Sequence, residues 1–420
     1  MMNLADMLAF ADIHQLSSIA KHYDCECSTH SKHELIQSIL SAINRRDIFE
    51  NTLKSLNLED LRFLNTLLFD KRELYSLEEL LAWARKTRFD DSLPSGGPLQ
   101  AIRLEPITEP QEAGIPKKGR KRSKAPEPEP APAQEQPWSP RETILKFKQR
   151  GWLFNGHSHN TKYLFCVPAD LKRKIGDMME QKLRATVETS EAPGFYRDEH
   201  DLFCSDILQF LRYLHHEDVW LTAEGFIYKR QLQQILQLLA VEEAPVQKGA
   251  WRFGYGRRFK EYPNRFSLLY DYCYYQRYIE EDGNRLVLTE QGREMAMNGR
   301  RESPADVYRF WIRLYKGPVH NIQALVHWVS RLAEHWVTVP SLARTLCPFI
   351  KPYYYDPPES IMEQRVLQMM LHLGLLRAGQ HETAGAVVQI TPLGKKIING
   401  NYVDERDGID LEQDSPTANG

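Results

Sequence analysis

No run of about 18 apolar residues occurs in the 420-residue chain, so a membrane-spanning helix is not expected. Its first residues, Met1-Met2-Asn3-Leu4-Ala5-Asp6, lack the basic stretch and following apolar run of a secretory leader. Cysteine is sparse: six residues are scattered with no paired framework, which predicts reduced, mostly buried thiols in a cytoplasmic protein, nucleoid-associated or free. Excess charge is missing too. With 54 basic against 56 acidic side chains the net charge is −2, which excludes a broadly cationic surface and restricts any nucleic-acid contact to local patches. No Ser/His/Asp order, paired-carboxylate motif or nucleophile elbow stands out. A non-enzymatic chain without cofactor, metal or small-molecule substrate is the expectation.

Against these absences stands one recurring frame, Leu/Ile-Thr-x-x-Gly, each time after a short apolar run. Its copies are Leu221-Thr222-Ala223-Glu224-Gly225, Leu288-Thr289-Glu290-Gln291-Gly292 and Ile390-Thr391-Pro392-Leu393-Gly394. Each reads as a strand ending on a Thr whose hydroxyl caps the next helix, so helices are predicted from Ala223, Glu290 and Pro392. Three such endings imply a string of similar modules.

At about three domains on a length prior, and with 42% apolar residues, the chain can hold ordinary cores. Residues 1–46 read as two short helices, the second capped by Ser31. From Asp47 to Phe89 the pattern is helical, with Leu53, Leu56, Leu61, Leu64, Leu67 and Leu68 on a buried stripe and a capped start at Ser76. Residues 91–137 hold ten of the 24 prolines and no aromatic, a composition that builds no core and predicts disorder. Order is expected again at Ser139-Pro140, a cap with proline in the first turn, followed by a helix and a hairpin of 152–154 and 162–167. The block 195–300 runs through the first two Thr frames, and 303–402 through helices near 307–315, 322–335, 339–346 and 361–373 to a strand pair closing at Thr391. The tail 403–420 carries six acids against Arg406 and is expected to be disordered.

Three kinds of residue invite a functional reading. His22, Cys25, Cys27, His30 and His33 cluster densely, but Cys-x-Cys is too tight for the common zinc knuckle, and a polar loop is preferred. Lys117, Lys118, Arg120, Lys121, Arg122 and Lys124 put six cations within eight residues of the proline-rich stretch, either neutralising phosphates or solubilising a linker. Trp251–Lys260 interleaves aromatics with Arg257, Arg258 and Lys260 around two glycines, as a backbone-tracking surface or a solvated connector. Lys229 and Arg230 fall in the first turns after the Thr222 frame, on a helix that reaches phosphate or simply faces solvent. The Tyr-rich stretch 266–278 spaces its aromatics as a helix core.

The N-terminal pattern Leu16-x-x-Ile19-Ala20-Lys21, then Ser31-Lys32-His33-Glu34-Leu35-Ile36, is similar to SAP and Rho N-terminal modules, which implies nucleic-acid contact through Lys21, Lys32, Arg45 and Arg46. Val167-Pro168-Ala169-Asp170-Leu171, then Leu221–Leu232, then Tyr262-Pro263-Asn264-Arg265-Phe266 with the hairpin ending at Thr289, resemble bacterial helicase-associated proteins related to the N-terminal region of the XPB/Ssl helicases. That resemblance spans about 47–300 well and the last block loosely. One departure is plain: no Walker A motif or DEAD-like box is present, so the motor is not carried over. Together these imply a mainly α fold with small β wings: a SAP-like helical pair (1–46), a winged helix split by the insertion (47–182), an extended winged helix or a pair (195–300) and a C-terminal winged helix (303–402). The expected role is a DNA-binding accessory protein acting with a helicase or nuclease; the alternative is a protein scaffold or transcriptional regulator.

Overall fold

The computed structural model describes residues 2–25, 31–89, 139–246, 255–404 and 407–409. The proline-rich insertion 91–137, Cys27, His30, Trp251 and most of the acidic tail lie outside the described residues. The chain is mainly helical with small antiparallel sheets, and it divides into two compact units: Met1–Phe63 with Glu73–Leu171, and Leu64–Arg72 with Lys172–Gly420.

In the first unit, the described residues of 1–46 form three helices rather than the two read from the sequence: α1 (Leu4–Phe10) opens with its own capping box of Asn3 and Asp6, separate from α2 (Ile13–His22), which has Asp12 as cap. Ser31 caps α3 (Lys32–Asn44), accepting from Glu34 N at 3.3 Å, as its sequence predicts. α4 (Arg46–Lys54) and α5 (Leu58–Phe69) follow, α5 being divided between the units after Phe63. Tyr75 then runs extended, and α6 (Leu77–Lys86) starts from a capping box of Ser76 and Glu79. Ser139 caps α7 (Pro140–Gln149), with proline where no N–H is needed. β1 (Phe154–Asn155) and β2 (Phe165–Cys166) form a hairpin shorter than the sequence suggests, and Tyr75 adds to its β2 side through two backbone bonds of 2.8 Å. The core is aromatic: Phe147 meets Phe63 edge-on at 5.0 Å and Trp152 at 5.7 Å. Trp152 Nε1 donates to Tyr23 Oη, which donates to Arg150 O, closing α2 onto the end of α7.

The second unit takes up the chain within α8 (Ala169–Arg184). β3 (Tyr196–Asp198) precedes α9 (Leu202–His216), β4 (Val219–Trp220), α10 (Lys229–Leu238), α11 (Asn264–Tyr275), β5 (Ile279–Asp282), β6 (Arg285–Leu288) and α12 (Glu290–Asn298). α13 (Pro304–Tyr315), capped by Ser303, leads to α14 (Ile322–Leu332), β7 (Val337–Thr338) and α15 (Val339–Leu346). A continuous helical stretch then comprises α16 (Pro358–Ser360), a π-helical Ile361–Leu367 and α17 (Gln368–His372). β8 (Leu376–His381), β9 (Gly385–Ile390) and α18 (Pro392–Gly400) end it.

The same order occurs twice here and once in the first unit: helix, short extended segment, helix, helix, hairpin. In every case the early segment pairs with the second hairpin strand, giving β4-β6-β5, β7-β9-β8 and Tyr75 on β2 beside β1. In the second unit β3 joins the outer side of β8, so that sheet has four strands, a pairing no local pattern announces.

The Thr frame explains two of its three helices. Thr289 Oγ1 accepts from Gly292 N at 3.1 Å and donates to Arg277 O at 2.6 Å; Thr391 Oγ1 accepts from Gly394 N at 2.9 Å and donates to Gly374 O at 2.8 Å. A Cβ on Gly292 would overlap Tyr278 O, and one on Gly394 would overlap Leu375 O, so glycine lets the helix start lie against the hairpin's first strand. The helix predicted from Ala223 does not form. Gly225 sits at φ +78°, outside the helical region, and Thr222 N donates to Phe226 O at 2.7 Å while Gly225 N donates back to Thr222 O at 2.8 Å. A tight turn results, Leu221 bridges to Ile227, and the helix starts only at Lys229.

Candidate nucleic-acid interface

The basic residues of the chain occupy three different electrostatic settings, of which two hold residues singled out from the sequence. On the N-terminal helices, Lys21 is exposed in the last turn of α2, and Lys32 Nζ donates to Ala9 O at 2.7 Å, placing its charge at the carbonyl end of α1. Neither has a carboxylate partner among the described residues. Arg45 and Arg46 do: Arg45 Nη2 lies 2.7 Å from Asp47, and Arg46 Nε 2.7 Å from Glu50. The hydrogen bond from Arg45 holds the Asp47 carboxyl below its ordinary range. These exposed pairs are worth little in stability, but they leave that corner locally neutral.

The second setting is a brace. Arg258 binds Glu281 through Nη2 at 2.5 Å and Nε at 3.3 Å, and its guanidinium lies 5.2 Å from the Phe226 ring. Arg257 lies 3.6 Å from the same carboxylate and 3.8 Å over Tyr274. Tyr270 Oη donates to Glu281, and Arg257 N donates to the buried Asp271. Burial pushes the Asp271 carboxyl up to about 7, against the hydrogen bond from Arg257 N and the charges of Arg257 and Arg258. The two arginine side chains are only 12% and 14% exposed, and Arg258, whose Nη1 donates to Glu224 O at 3.4 Å, ties the β5–β6 hairpin to the turn at Gly225. Lys260 is exposed. Lys229 and Arg230 are exposed on the first turn of α10, which has Tyr228 rather than Thr222 as its N-cap. The run Lys117–Lys124 lies outside the described residues.

The third setting was not anticipated. α7 and the hairpin loop of the first unit carry Arg141, Leu145, Lys148, His157, Lys162 and Tyr163, all exposed or half-buried. Lys148 Nζ donates to Asn155 Oδ1 at 3.0 Å, and Asn155 Nδ2 donates to Lys162 O at 3.1 Å, so helix and loop are held together. The loop itself is closed by Lys162 N to Ser158 O at 2.9 Å and Gly156 N to Leu164 O at 2.9 Å. The alternation of His, Lys and Tyr over 157–163 is visible in the chain, but only the fold shows that it projects from a bonded turn.

By contrast, the helix at the same position in the second unit's first repeat, α11, is buried from Arg265 through Cys273. Of the residues that helical spacing assigns to the core, Phe266, Leu269, Tyr270, Cys273 and Tyr278 are buried, whereas Tyr274 is only half-buried beneath Arg257. Arg265 is fully buried, with Nη2 2.6 Å from Asp206 and Nε 3.4 Å from Glu199. Glu199 also meets Arg197 at 2.7 Å and His372 Nδ1 at 3.0 Å. Burial would raise the Glu199 carboxyl, yet His372, Arg197 and Arg265 together hold it below its ordinary value. As an ionised carboxylate only accepts, His372 Nδ1 carries the proton. Beside this cluster is an open cleft of about 450 Å³ lined by Arg197, Glu243, Asn264, Gln368 and His372. Glu243 caps α11, taking Arg265 N at 2.9 Å and Phe266 N at 2.8 Å.

No family model, curated protein or solved structure matches the chain.

His22 and Cys25 close α2 beside Tyr23, His33 lies in the first turn of α3, and their would-be co-ligands Cys27 and His30 lie outside the described residues. Among the described residues no helix is long and apolar enough to cross a membrane.

Proposed function

We propose that this chain is a non-catalytic DNA-binding accessory protein: a SAP-like helical pair followed by winged-helix units, acting beside a helicase or nuclease that supplies the motor or the chemistry. The observation that carries the reading is the thrice-repeated order of helix, extended segment, two helices and hairpin, always with the early segment on the second hairpin strand. In a winged helix the third helix and the hairpin are the parts that meet nucleic acid. The first unit supports that use, because α7 turns Arg141, Leu145 and Lys148 outward beside a basic, aromatic loop. The second unit favours docking of protein. Its α11 is enclosed on every side, and the exposed face of 359–368 carries Glu359, Glu363, Gln364 and Gln368, a poor match for phosphate. DNA contact therefore falls to the first unit and partner docking to the second.

Salt-titrated binding of the full chain to duplex and single-stranded DNA tests this division. A linear fall of log affinity with log salt supports phosphate contact. Absence of binding at low salt overturns it and leaves a pure protein scaffold.

A further inference from the structure

We infer that the corner of the first unit formed by the end of α1 and the 156–164 turn is a stacking platform for unpaired bases, so that the preferred ligand is single-stranded nucleic acid. This rests on the DNA-binding reading above. Phe10 is 63% exposed and its ring lies against His157 at 5.1 Å with an interplanar angle of 29°, a stacked pair facing water. Tyr163, on the same turn, is 75% exposed, with Lys162 Nζ 4.8 Å from its ring centre. An exposed, ordered aromatic ring is costly to keep in water and offers a π-face to any base.

The charges match a strand threaded past those rings. Lys32 Nζ is anchored on Ala9 O, one residue from Phe10, and keeps further N–H donors for phosphate. Lys162 lies beside Tyr163, and Lys148 is joined to Lys162 through Asn155. No carboxylate occurs from Gly156 to Leu164. The turn is preorganised: Ser158 N donates to Thr161 Oγ1 at 3.1 Å, Thr161 N to Ser158 O at 3.0 Å and Leu164 N to Thr161 O at 2.8 Å. A duplex hides its base faces in the stack and could use only the cations. Rings and lysines interleaved on a fixed turn suit bases that are already unstacked.

The experiment is fluorescence anisotropy of the full chain with labelled oligothymidine of about 20 nucleotides and with a duplex of equal length, across salt. The single strand should bind more tightly. Phe10→Ala and Tyr163→Ala should each weaken it about 5- to 150-fold, leave the duplex nearly unchanged and keep the salt slope. Phe10→Trp should restore binding, and Lys162→Ala should flatten the slope by about 0.7. These side chains are largely exposed, and matching urea midpoints establish that the variants fold. Equal or tighter duplex binding, or Ala variants that hold oligothymidine like the parent, overturns the platform while the DNA-binding reading stands. No binding to either probe at low salt removes both.

Discussion

Replacing Thr391 by Val tests the Thr-Gly lock most directly, because the two side chains differ in little but the hydroxyl. Thr391 is 3% exposed, accepts from Gly394 N at 2.9 Å and donates to Gly374 O at 2.8 Å. Loss of the N-cap costs about 0.5–2 kcal/mol. Stranding a buried backbone partner costs about 1–3 kcal/mol more. Thr391→Val should therefore destabilise by about 1.5–5 kcal/mol, a large share of a typical total of about 5–15 kcal/mol. Thr391→Ser keeps both bonds and should cost less than about 1 kcal/mol. Thr289 is half-buried, so water replaces part of what Val removes, and about 1–2 kcal/mol is expected there. Thr222 opens no helix; its hydroxyl accepts from Phe226 N at 3.2 Å, and Thr222→Val should stay within about 0.5 kcal/mol. Urea midpoints rank the series, and amide exchange should localise the Thr391→Val loss to α18. If Ser and Val at position 391 prove equally destabilising, or Val at 222 costs as much as Val at 391, the shared hydroxyl is not what holds these helices.

Four further outcomes follow from the same structure. Asp271 has its folded pKa raised from 3.8 to about 7, so the stability of its protonated form is present at pH 4 and is lost as pH rises through 7. Asp271→Asn should therefore gain on the wild type by up to about 4 kcal/mol across that window, read from urea midpoints against pH; a constant difference would refute the buried-carboxyl account. His327, stacked on Phe69 at 5.1 Å, has its pKa lowered to about 4 by burial and then by Arg331 and Lys71, so its contribution is present above 6.5 and is lost as pH falls through 4. His327→Phe should shrink that acid loss by about 3 kcal/mol, visible in thermal melts at pH 4 and 7. Arg265→Met should cost about 3–5 kcal/mol by leaving the buried Asp206 without its cation and Glu199 with only Arg197 and His372, whereas a mild cost would mean that the cluster relaxes. Gly156→Ala drives a Cβ into Thr161 and should loosen the 156–164 turn, raising amide exchange at Leu164 without changing α6; unchanged exchange would count against the close approach.

Local chemistry was legible in the chain. Ser31, Ser76 and Ser139 cap helices as read, since a cap needs only a side chain and an amide two or three residues away. The Tyr-rich helix read as core for a similar reason, its period lying within one segment. Thr222 resisted the same reading because a glycine three residues on serves equally as the third residue of a helix or at positive φ in a turn, and Phe226-Ile227 pairing back on Leu221 decided for the turn. Pairings made across long stretches of chain were beyond any local pattern. β3 joins β8, with Asp198 taking Arg377 from 179 residues away; His372 meets Glu199 across 173. The setting of the cations was hidden for the same physical reason: Arg257 and Arg258 look available in a basic stretch, but Glu281, 23 residues beyond Arg258, pairs with both once the hairpin folds back. Composition and spacing determine which segments curl and which residues start them; only the folded chain decides which charges and rings remain for a partner, because neutralisation and burial depend on neighbours brought in from elsewhere.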